Sequence, residues 1–220
     1  MSRERTLMLR LATGLTGCAG ILTAAAGVAG TVISEVLYDA AGTDAGAVFV
    51  ELYGAPGTLL ESFLLEGVNG STGSVYLTVP LAGSIPDDGV FVIADDGGGG
   101  STLVGNADLV ADVDFQNGPD SIVLRDGSTV LDAVGYGDFT SAVFAGEGDA
   151  AVAAPAGSSI ARPDPLLDSG NNLADFLVLE LPTPGAVPVS AVPVPAPLGL
   201  LFSGLVGLGL VARRKRRAAD

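Results

Sequence analysis

The stretch SIVLRDGSTVLDA, residues 121–133, has the composition of a β-hairpin. Two runs rich in β-branched residues flank Asp126 and Gly127, a pair that favours the positive φ angles of a two-residue type I′ turn. Because side chains alternate between the two faces of a strand, this turn predicts which residues face the core. The residues predicted to face the core are Ile122, Leu124, Leu131 and Ala133. Those predicted to face outward are Val123, Arg125, Ser128, Val130 and Asp132.

Similar strand signals recur on both sides of this hairpin. Short runs of β-branched and aromatic residues are separated by clusters of the turn formers glycine, asparagine, aspartate and proline. With the two strands of the hairpin included, the six runs are TVISEVLY (31–38), AVFVELY (47–53), SVYLTV (74–79), GVFVIA (89–94), DSIVLRD (120–126) and STVLDAVGY (128–136). No long stretch has helical periodicity, and no internal repeat is present. We therefore predict that residues 31–187 form one all-β domain, a β-sandwich.

Three segments of this domain resemble the bacterial lamin tail domain. They are VISEVLYDAAGTDAGAVFVELYG (32–54), FQNGPDSIVLRDGSTVLDAVGYG (115–137) with GEG (146–148), and SSIARPDPLLDSGNNLADFLVLELPTPGA (158–186). The resemblance covers nearly the whole domain and implies an immunoglobulin-like β-sandwich. The sequence departs from the family at Ser62-Phe63, where a Gly-Trp pair is common. It also departs at Pro188, which stands where the family often has an asparagine after the PTPG segment.

The N-terminal end predicts a signal peptide over residues 1–29. Three arginines among the first ten residues precede an apolar stretch, and small residues at Ala26 and Ala29 suit cleavage by signal peptidase. The single cysteine, Cys18, lies inside this stretch. Lipidation of Cys18 is the alternative, and it is disfavoured because the residues after it stay apolar. The chain is therefore expected to be exported and to fold without a disulfide.

The C-terminal end has three parts: a proline-rich linker and tag over 188–197, an uncharged apolar run over 198–212, and a basic tail over 213–220. As a helix the apolar run would span about 22 Å of a hydrocarbon core of about 30 Å, and the flanking arginines can snorkel to close the gap. A buried core helix is the alternative, but the glycines and the lack of a polar face disfavour it. We predict a transmembrane helix with the basic block on the cytoplasmic side.

This layout resembles the bacterial PEP-CTERM sorting signal in its VPxPAP-like variant. The tag consists of Val192, Pro193, Val194, Pro195, Ala196 and Pro197. The membrane stop consists of Arg213, Arg214, Lys215, Arg216 and Arg217. The resemblance implies a transient anchor in the inner membrane, processing by an exosortase, and a place at the cell surface or outside the cell beside exopolysaccharide. A simple tail anchor is the alternative, and Val194 stands where the commonest form of the signal has an acidic residue.

Charge and composition exclude several functions. Residues 31–212 contain 23 acidic and two basic residues, a net 21 negative charges, so nucleic acid is excluded as a partner. The chain has no histidine, which excludes Ser-His-Asp triads and histidine metal centres. A hydrolase would need carboxylates alone, such as Asp39 and Glu51. Both lie beside strand ends, where acidic side chains usually face solvent, so no enzyme activity and no cofactor are predicted.

Oxygen-rich loops leave calcium binding open as an alternative. One stretch contains Asp164, Asp168, Asn171, Asn172 and Asp175, and a weaker one contains Asp112 and Asp114. A hard cation needs six to eight oxygen ligands, but neither stretch fits the EF-hand pattern. Asx turns on a solvated surface are the other explanation, so no metal ligand is assigned.

Two further features carry no predicted site. The run Gly97–Gly100 predicts a loop tip, because no lysine follows it to complete a phosphate cradle. The four tyrosines lie in predicted strands and are expected to pack in the core, and the chain has no tryptophan for a saccharide platform. The sequence thus predicts a non-enzymatic protein of the cell surface or extracellular matrix. A calcium- or polysaccharide-binding module is the alternative, and a carboxylate-based hydrolase is a weaker one.

Overall fold

The structure is a computed structural model that describes residues 30–140 and 143–186. The predicted signal peptide, the linker and tag, the transmembrane helix and the basic tail lie outside the described residues. The described part of the chain contains ten strands and one short helix. They are β1 (Val32–Leu37), β2 (Phe49–Tyr53), β3 (Phe63–Asn69), β4 (Val75–Pro80), β5 (Val90–Asp95), β6 (Leu109–Ala111), β7 (Asp120–Asp126), β8 (Thr129–Tyr136), β9 (Ser159–Ala161), α1 (Asn172–Asp175) and β10 (Leu177–Leu179).

The strands form two sheets. A six-stranded sheet has the order β10-β9-β1-β2-β5-β6, and a four-stranded sheet has the order β4-β3-β7-β8. All neighbouring strands are antiparallel except β5 and β6, which pair in parallel. The prediction of an all-β domain is confirmed at this level, because the described residues form two sheets and almost no helix.

One hydrophobic core joins the two sheets. It contains Ile33 and Val50 from the six-stranded sheet and Leu65 and Ile122 from the four-stranded sheet. Such burial is the main force that holds sheets together. The rings of Tyr38 and Tyr136 stack within the core, with centroids 4.1 Å apart. The expectation of core tyrosines is confirmed for these two.

The six-stranded sheet is also covered on its other face. Leu37, Phe49 and Val92 form a second buried cluster there, against which Val104 packs. Strands β1 and β5 are buried at every residue, as expected for strands covered on both faces. Part of this cover is the segment 182–186, here called the strap. A small groove between Phe49, Val104 and the prolines of the strap marks its edge.

The β7–β8 hairpin forms where the sequence predicts it, but its turn residues and its register differ from the prediction. Asp126 pairs with Thr129, so the turn residues are Gly127 and Ser128 and not Asp126 and Gly127. Gly127 has a φ of 56°, whereas Ser128 is not in the left-handed region. A type I′ turn needs positive φ at both turn residues, so the predicted turn type is wrong.

A β-bulge changes which residues of β8 face the core. The register shifts next to Leu124, so that Asp132 lies opposite Leu124 and Ala133 lies opposite Val123. Ile122 and Leu124 are in the main core as predicted, and Leu131 packs against it. Beyond the bulge the prediction is wrong: Ala133 lies in a small outer cluster, and Asp132 is fully buried. One extra residue reverses the face of every residue that follows.

Candidate functional site

The residues predicted to act in sorting lie outside the described residues. This applies to the tag at 192–197 and to the membrane stop at 213–217. Within 30–140 and 143–186, the structure contains no helix that is long and apolar enough to cross a membrane. The other candidate sites of the described domain lie among its buried charged side chains.

Arg162 is the centre of a buried polar network. Its side chain has no exposed surface. Its Nε donates to the carbonyl oxygen of Ile33 at 3.1 Å, and its Nη2 donates to Oδ1 of Asp132 at 3.0 Å. Its Nη1 lies 3.1 Å from Oδ2 of Asp175, and the guanidinium carbon lies 4.5 Å from the ring centroid of Phe176. Because Ile33 is in β1 and Asp132 is in β8, the network joins the two sheets.

Asp132 reaches Arg162 only because of the bulge in β8. Its Oδ2 also accepts a hydrogen bond from the backbone N–H of Ile33 at 2.6 Å. Burial raises the pKa of Asp132, and the charge of Arg162 opposes that rise. A buried carboxylate is tolerated when it is paired and hydrogen-bonded, and both conditions are met here.

Three carboxylates beside Arg162 form the candidate metal centre of the described residues. Oxygens of Asp132, Glu147 and Asp168 lie within 4.8 Å of one another. Oε2 of Glu147 is buried and has no hydrogen-bond partner. Burial raises the pKa of Glu147 to about 7, and the charges of Asp132 and Asp168 contribute to the rise. With Asp175, four carboxyl groups surround one guanidinium, so a hard cation with oxygen ligands would be attracted to this cluster.

Of the loop considered for calcium, only Asp168 belongs to the group of three carboxylates that it forms with Asp132 and Glu147. Oδ1 of Asp168 lies 3.4 Å from Nη1 of Arg162. Asp164 accepts a hydrogen bond from the N–H of Leu166, which is an Asx turn. Asn171 caps helix α1, and its side chain accepts from the N–H of Ala174. These are the turn contacts that were the alternative to calcium binding.

Asn172 and Asp175 likewise have structural partners. The buried side chain of Asn172 accepts from the N–H groups of Gly135 and Glu147 and donates to the carbonyl of Ala133. Asp175 accepts from the hydroxyl of Ser169 at 2.6 Å as well as contacting Arg162. Of the side chains that the sequence grouped as one loop, Asp168 and Asp175 meet at Arg162, whereas Asp164, Asn171 and Asn172 have other partners.

Sequence reasoning missed Asp132, Glu147 and Arg162 as a group. One signal was available: Arg162 is one of only two basic residues in the acidic region 31–212. A cation so outnumbered by carboxylates is expected to be paired. The other signal, the position of Asp132, was hidden because the bulge cannot be located from the alternation of residue types.

The second acidic stretch meets other carboxylates at one end of the six-stranded sheet. Burial raises the pKa of Asp114, and the charges of Asp44, Asp95 and Asp112 contribute. Asp95 accepts hydrogen bonds from the N–H groups of Gly46 and Val113 and so holds two loops together. The side chain of Asp95 thus stabilises two loops without any ligand.

Glu51 pairs across the sheet with Glu35, not with Asp39, which lies beyond the end of β1. Both glutamates are fully buried beneath the strap. Glu35 accepts from the N–H and hydroxyl of Thr183, and Glu51 accepts from the N–H of Gly185 at 2.9 Å.

Burial raises the pKa of Glu51 to about 7, with a smaller contribution from the charge of Glu35. The hydrogen bonds from Ser34 and Gly185 oppose this rise. The expectation that Glu51 faces solvent is therefore wrong. Its carboxyl is engaged in holding the strap and is closed off from any substrate.

The glycine-rich loop binds its own aspartate. Oδ1 of Asp96 accepts hydrogen bonds from the N–H groups of Gly98, Gly100 and Ser101 at 2.8, 2.9 and 3.1 Å. These bonds, led by that from Gly98, hold the pKa of Asp96 below its usual range. These three N–H groups, which could have bound a phosphate, already face a carboxylate of the chain.

In comparisons with models of known protein families, with curated proteins and with solved structures, the chain has no significant match.

Proposed function

We propose that the protein is exported and sorted to the cell surface, where it serves as a non-enzymatic structural or binding protein of an exopolysaccharide-associated matrix. The observation that carries this proposal is the three-part C-terminal tail: a Val-Pro-rich tag, an uncharged apolar run and a basic block. The N-terminal arginines and apolar stretch add a signal for export. The partners this implies are signal peptidase, an exosortase-type protease, the inner membrane, in which the tail is a transient anchor, and exopolysaccharide.

We further propose that the domain is an immunoglobulin-like sandwich of the lamin tail type. The two sheets and their common core support this assignment. So do the positions of the three segments that carry the resemblance. The first segment forms β1 and β2, the middle one forms the β7–β8 hairpin, and the last forms β9, α1, β10 and the strap.

The contacts of three buried carboxyl groups support a non-enzymatic role. Glu35 and Glu51 hold the strap, and Asp132 pairs with Arg162. A general acid or nucleophile must reach its substrate, whereas these groups are enclosed by their own protein partners. The domain thus offers a stable acidic body to be carried by the sorting tail.

The sorting proposal is tested by following the full chain in a bacterium that has an exosortase. The wild-type protein should appear at the surface as a product that has lost mass at both ends. Replacing Pro195 and Ala196 should leave a longer form in the membrane fraction. Deleting 213–217 should remove the membrane stop, so that the chain slips through or is degraded.

Cell fractionation and intact-mass measurement report these products. A host without the exosortase is the matched control, and only the unprocessed form should accumulate there. A wild-type protein that retains its C-terminal run in both hosts would make the tail a simple anchor and refute the sorting proposal.

A calcium-binding module is the second candidate function, favoured by the unpartnered Oε2 of Glu147 beside Asp132 and Asp168. Calcium bound only by the folded state should raise the melting temperature, with a smaller effect of magnesium. Glu147→Gln should abolish the rise, whereas Asp164→Ala, in the same region but outside the cluster, should retain it. An equal melting temperature with and without millimolar calcium in the wild type would eliminate this candidate.

A further inference from the structure

The strap is attached to the domain by hydrogen bonds to two buried glutamates. Two of its five residues are prolines, which have no backbone N–H to donate. Thr183 donates to Glu35 through its N–H at 2.9 Å and its hydroxyl at 2.7 Å. Gly185 donates to Glu51 through its N–H at 2.9 Å. The N–H of Ala186 donates to the carbonyl of Thr183. The strap therefore has no strand ladder, and its docking depends on the two carboxyl groups.

The other contacts of the strap are weaker. The amide of Asn106 donates to the carbonyl of Pro184 at 3.3 Å, and this bond is exposed to solvent. The prolines of the strap lie at the edge of the small groove beside Phe49 and Val104. Four of its residues are partly buried, and Ala186 is exposed. Segments with few buried contacts open at a lower free energy than the core does, so the strap can open while both sheets stay folded.

The two glutamates form a pair of like groups under the strap. Glu35 and Glu51 lie opposite each other on β1 and β2, and both are fully buried. Like charges at such opposed positions destabilise a sheet. No basic side chain of the described residues contributes to the pKa of Glu51. Asp132 differs, because Arg162 balances its charge. A second negative charge in the glutamate pair is therefore costly.

The hydrogen bonds place the proton of this pair on Glu51. Glu35 accepts from the N–H and hydroxyl of Thr183 and from the hydroxyl of Ser159 at 2.6 Å, and several donors stabilise a carboxylate as the anion. Oε1 of Glu51 lies 2.7 Å from the hydroxyl of Ser34, which can accept a proton as well as donate one. Burial raises the pKa of Glu51 to about 7, and the charge of Glu35 adds to the rise.

The other acidic groups around Glu51 do not contribute to this titration. On the side of β5, Val92 lies opposite Glu51, and its N–H donates to the carboxylate of Asp108 at 2.8 Å. Glu180 precedes the strap and is exposed. Among the described residues, Glu35 is the charged group that acts on the pKa of Glu51.

This titration is linked to the docking of the strap. Opening would expose Glu51 to water and return its pKa to about 4.5. The docked strap thus binds the proton of Glu51 more tightly than the open strap does. Docking is therefore strongest below about pH 4.5 and weakens as pH rises to about 7.

The strap is also the point at which the domain joins its tail. Five residues, 187–191, separate the strap from the tag at 192–197. Fully extended, they span at most about 18 Å. Release of the strap adds five residues to this connection and about doubles its reach. A docked strap keeps the acidic body close to the tag, whereas an open strap leaves more room around it.

We propose that the strap is a clasp that holds the domain close to the sorting tag and opens when Glu51 loses its proton, which gives a processing protease access to the tag. The clasp deepens the proposed function and rests on it for the role of the tag. The opening itself is a property of the domain and is measured without a protease.

The test measures hydrogen exchange of the full chain, purified in a zwitterionic detergent, at pH 5 and pH 7.5. Mass spectrometry with fragmentation resolves the amides of Thr183 and Gly185, and each rate is divided by that of an unprotected amide at the same pH. The opening constant of the strap should rise about 50-fold between these pH values, as follows from a pKa of 4.5 in the open state and about 7 in the docked state. The core amide of Val50 should exchange more slowly at both.

Three variants separate the charge of Glu51 from the packing of the strap. Glu51→Gln is neutral, and its amide oxygen can still accept from Gly185, so the opening constant should be equal at both pH values. Glu180→Gln removes an exposed carboxylate just before the strap and should keep the full pH dependence. Thr183→Val loses the hydroxyl bond to Glu35 and should raise the opening constant by the same factor at both pH values.

Three results would overturn the clasp. The first is an opening constant of the wild-type strap that is equal at pH 5 and pH 7.5. The second is a pH dependence that persists in Glu51→Gln. The third is exchange of the strap amides at the rate of Val50, because the strap would then open only when the whole domain unfolds.

Processing of the tag is followed separately, in cells that have an exosortase, at an external pH of 6 and of 7.5. The fraction of processed product should rise with pH for the wild type and not for Glu51→Gln. Equal processing at both pH values in the wild type would overturn the role of the clasp in access to the tag. A wild-type chain that is never processed contradicts the sorting proposal, whereas pH-independent exchange contradicts the clasp, so the two fail separately.

Discussion

Replacing Arg162 by methionine should be the most damaging single change of a charged residue in this domain. The methionine keeps part of the packing against Phe176 but removes the bonds to Ile33, Asp132 and Asp175. Asp132 then remains fully buried with no opposite charge. Breaking a buried ion pair by removing one partner costs about 3 to 5 kcal/mol. For a domain of this size that corresponds to a fall in melting temperature of about 6 to 20 °C.

The chain offers a matched control in Arg125. This residue pairs with Glu66 at 2.6 Å, but the two side chains are 29% and 17% exposed. Arg125→Met should therefore cost at most about 1 kcal/mol, since solvent screens the pair. Urea unfolding followed by circular dichroism gives the free energy of unfolding of both variants and the wild type.

The pH dependence of Arg162→Met separates a charge effect from a packing effect. Without Arg162, no positive charge from this side chain offsets the effect of burial. The pKa of Asp132 should therefore rise further above its value in the unfolded chain. The folded variant would bind more protons than its unfolded state, so its stability falls as pH rises through that range. Its deficit relative to the wild type should be larger at pH 8 than at pH 5. A deficit under about 1 kcal/mol, or one equal at both pH values, would refute the reasoning.

Two further variants test other parts of the structure. Burial raises the pKa of Glu51 to about 7, so the folded wild type should lose stability as pH rises from about 4.5 to 7. In urea unfolding, the Glu51→Gln variant should have a free energy of unfolding about 1 to 3 kcal/mol above that of the wild type at pH 9 but not at pH 5. An equal difference at both pH values would contradict this. Gly135→Ala would place a Cβ against the ring of Phe144 and should lower the free energy of unfolding by about 1 to 3 kcal/mol, measured by thermal melting. The control Gly105→Ala places its Cβ in open space and should leave stability unchanged. Equal melting temperatures of the two variants would contradict the predicted clash.

The strand pattern was predictable where the signal was local. The six runs identified from residue types coincide with β1, β2, β4, β5, β7 and β8. Strand β3 was not identified, because Glu66 and Gly67 interrupt its apolar residues. Strands β6, β9 and β10 have three residues each, too few for alternation to be recognised. They are strands because a neighbouring strand supplies hydrogen bonds, which is a tertiary effect.

The candidate sites depended still more on the fold. The sequence placed Asp164 to Asp175 together as oxygen ligands because they are close along the chain. In the structure only Asp168 joins Asp132 and Glu147, two residues from distant segments. Asn69, Gln116 and Asp138 meet around one cleft in the same way, from the end of β3 and from two loops. Separation along the chain hides such groups, since nothing local marks residues that meet across a sheet.

By itself, the sequence determined the all-β class, the acidic charge, the absence of histidine chemistry and the tripartite tail, because composition and short-range periodicity express these properties directly. Only the tertiary structure decided the pairing of strands and the direction of Asp132. The cause is one bulge in β8: an extra residue turns a side chain predicted to meet solvent into the buried partner of Arg162. Such an insertion is set by packing between the sheets, and the alternation of residue types along a single strand cannot reveal it.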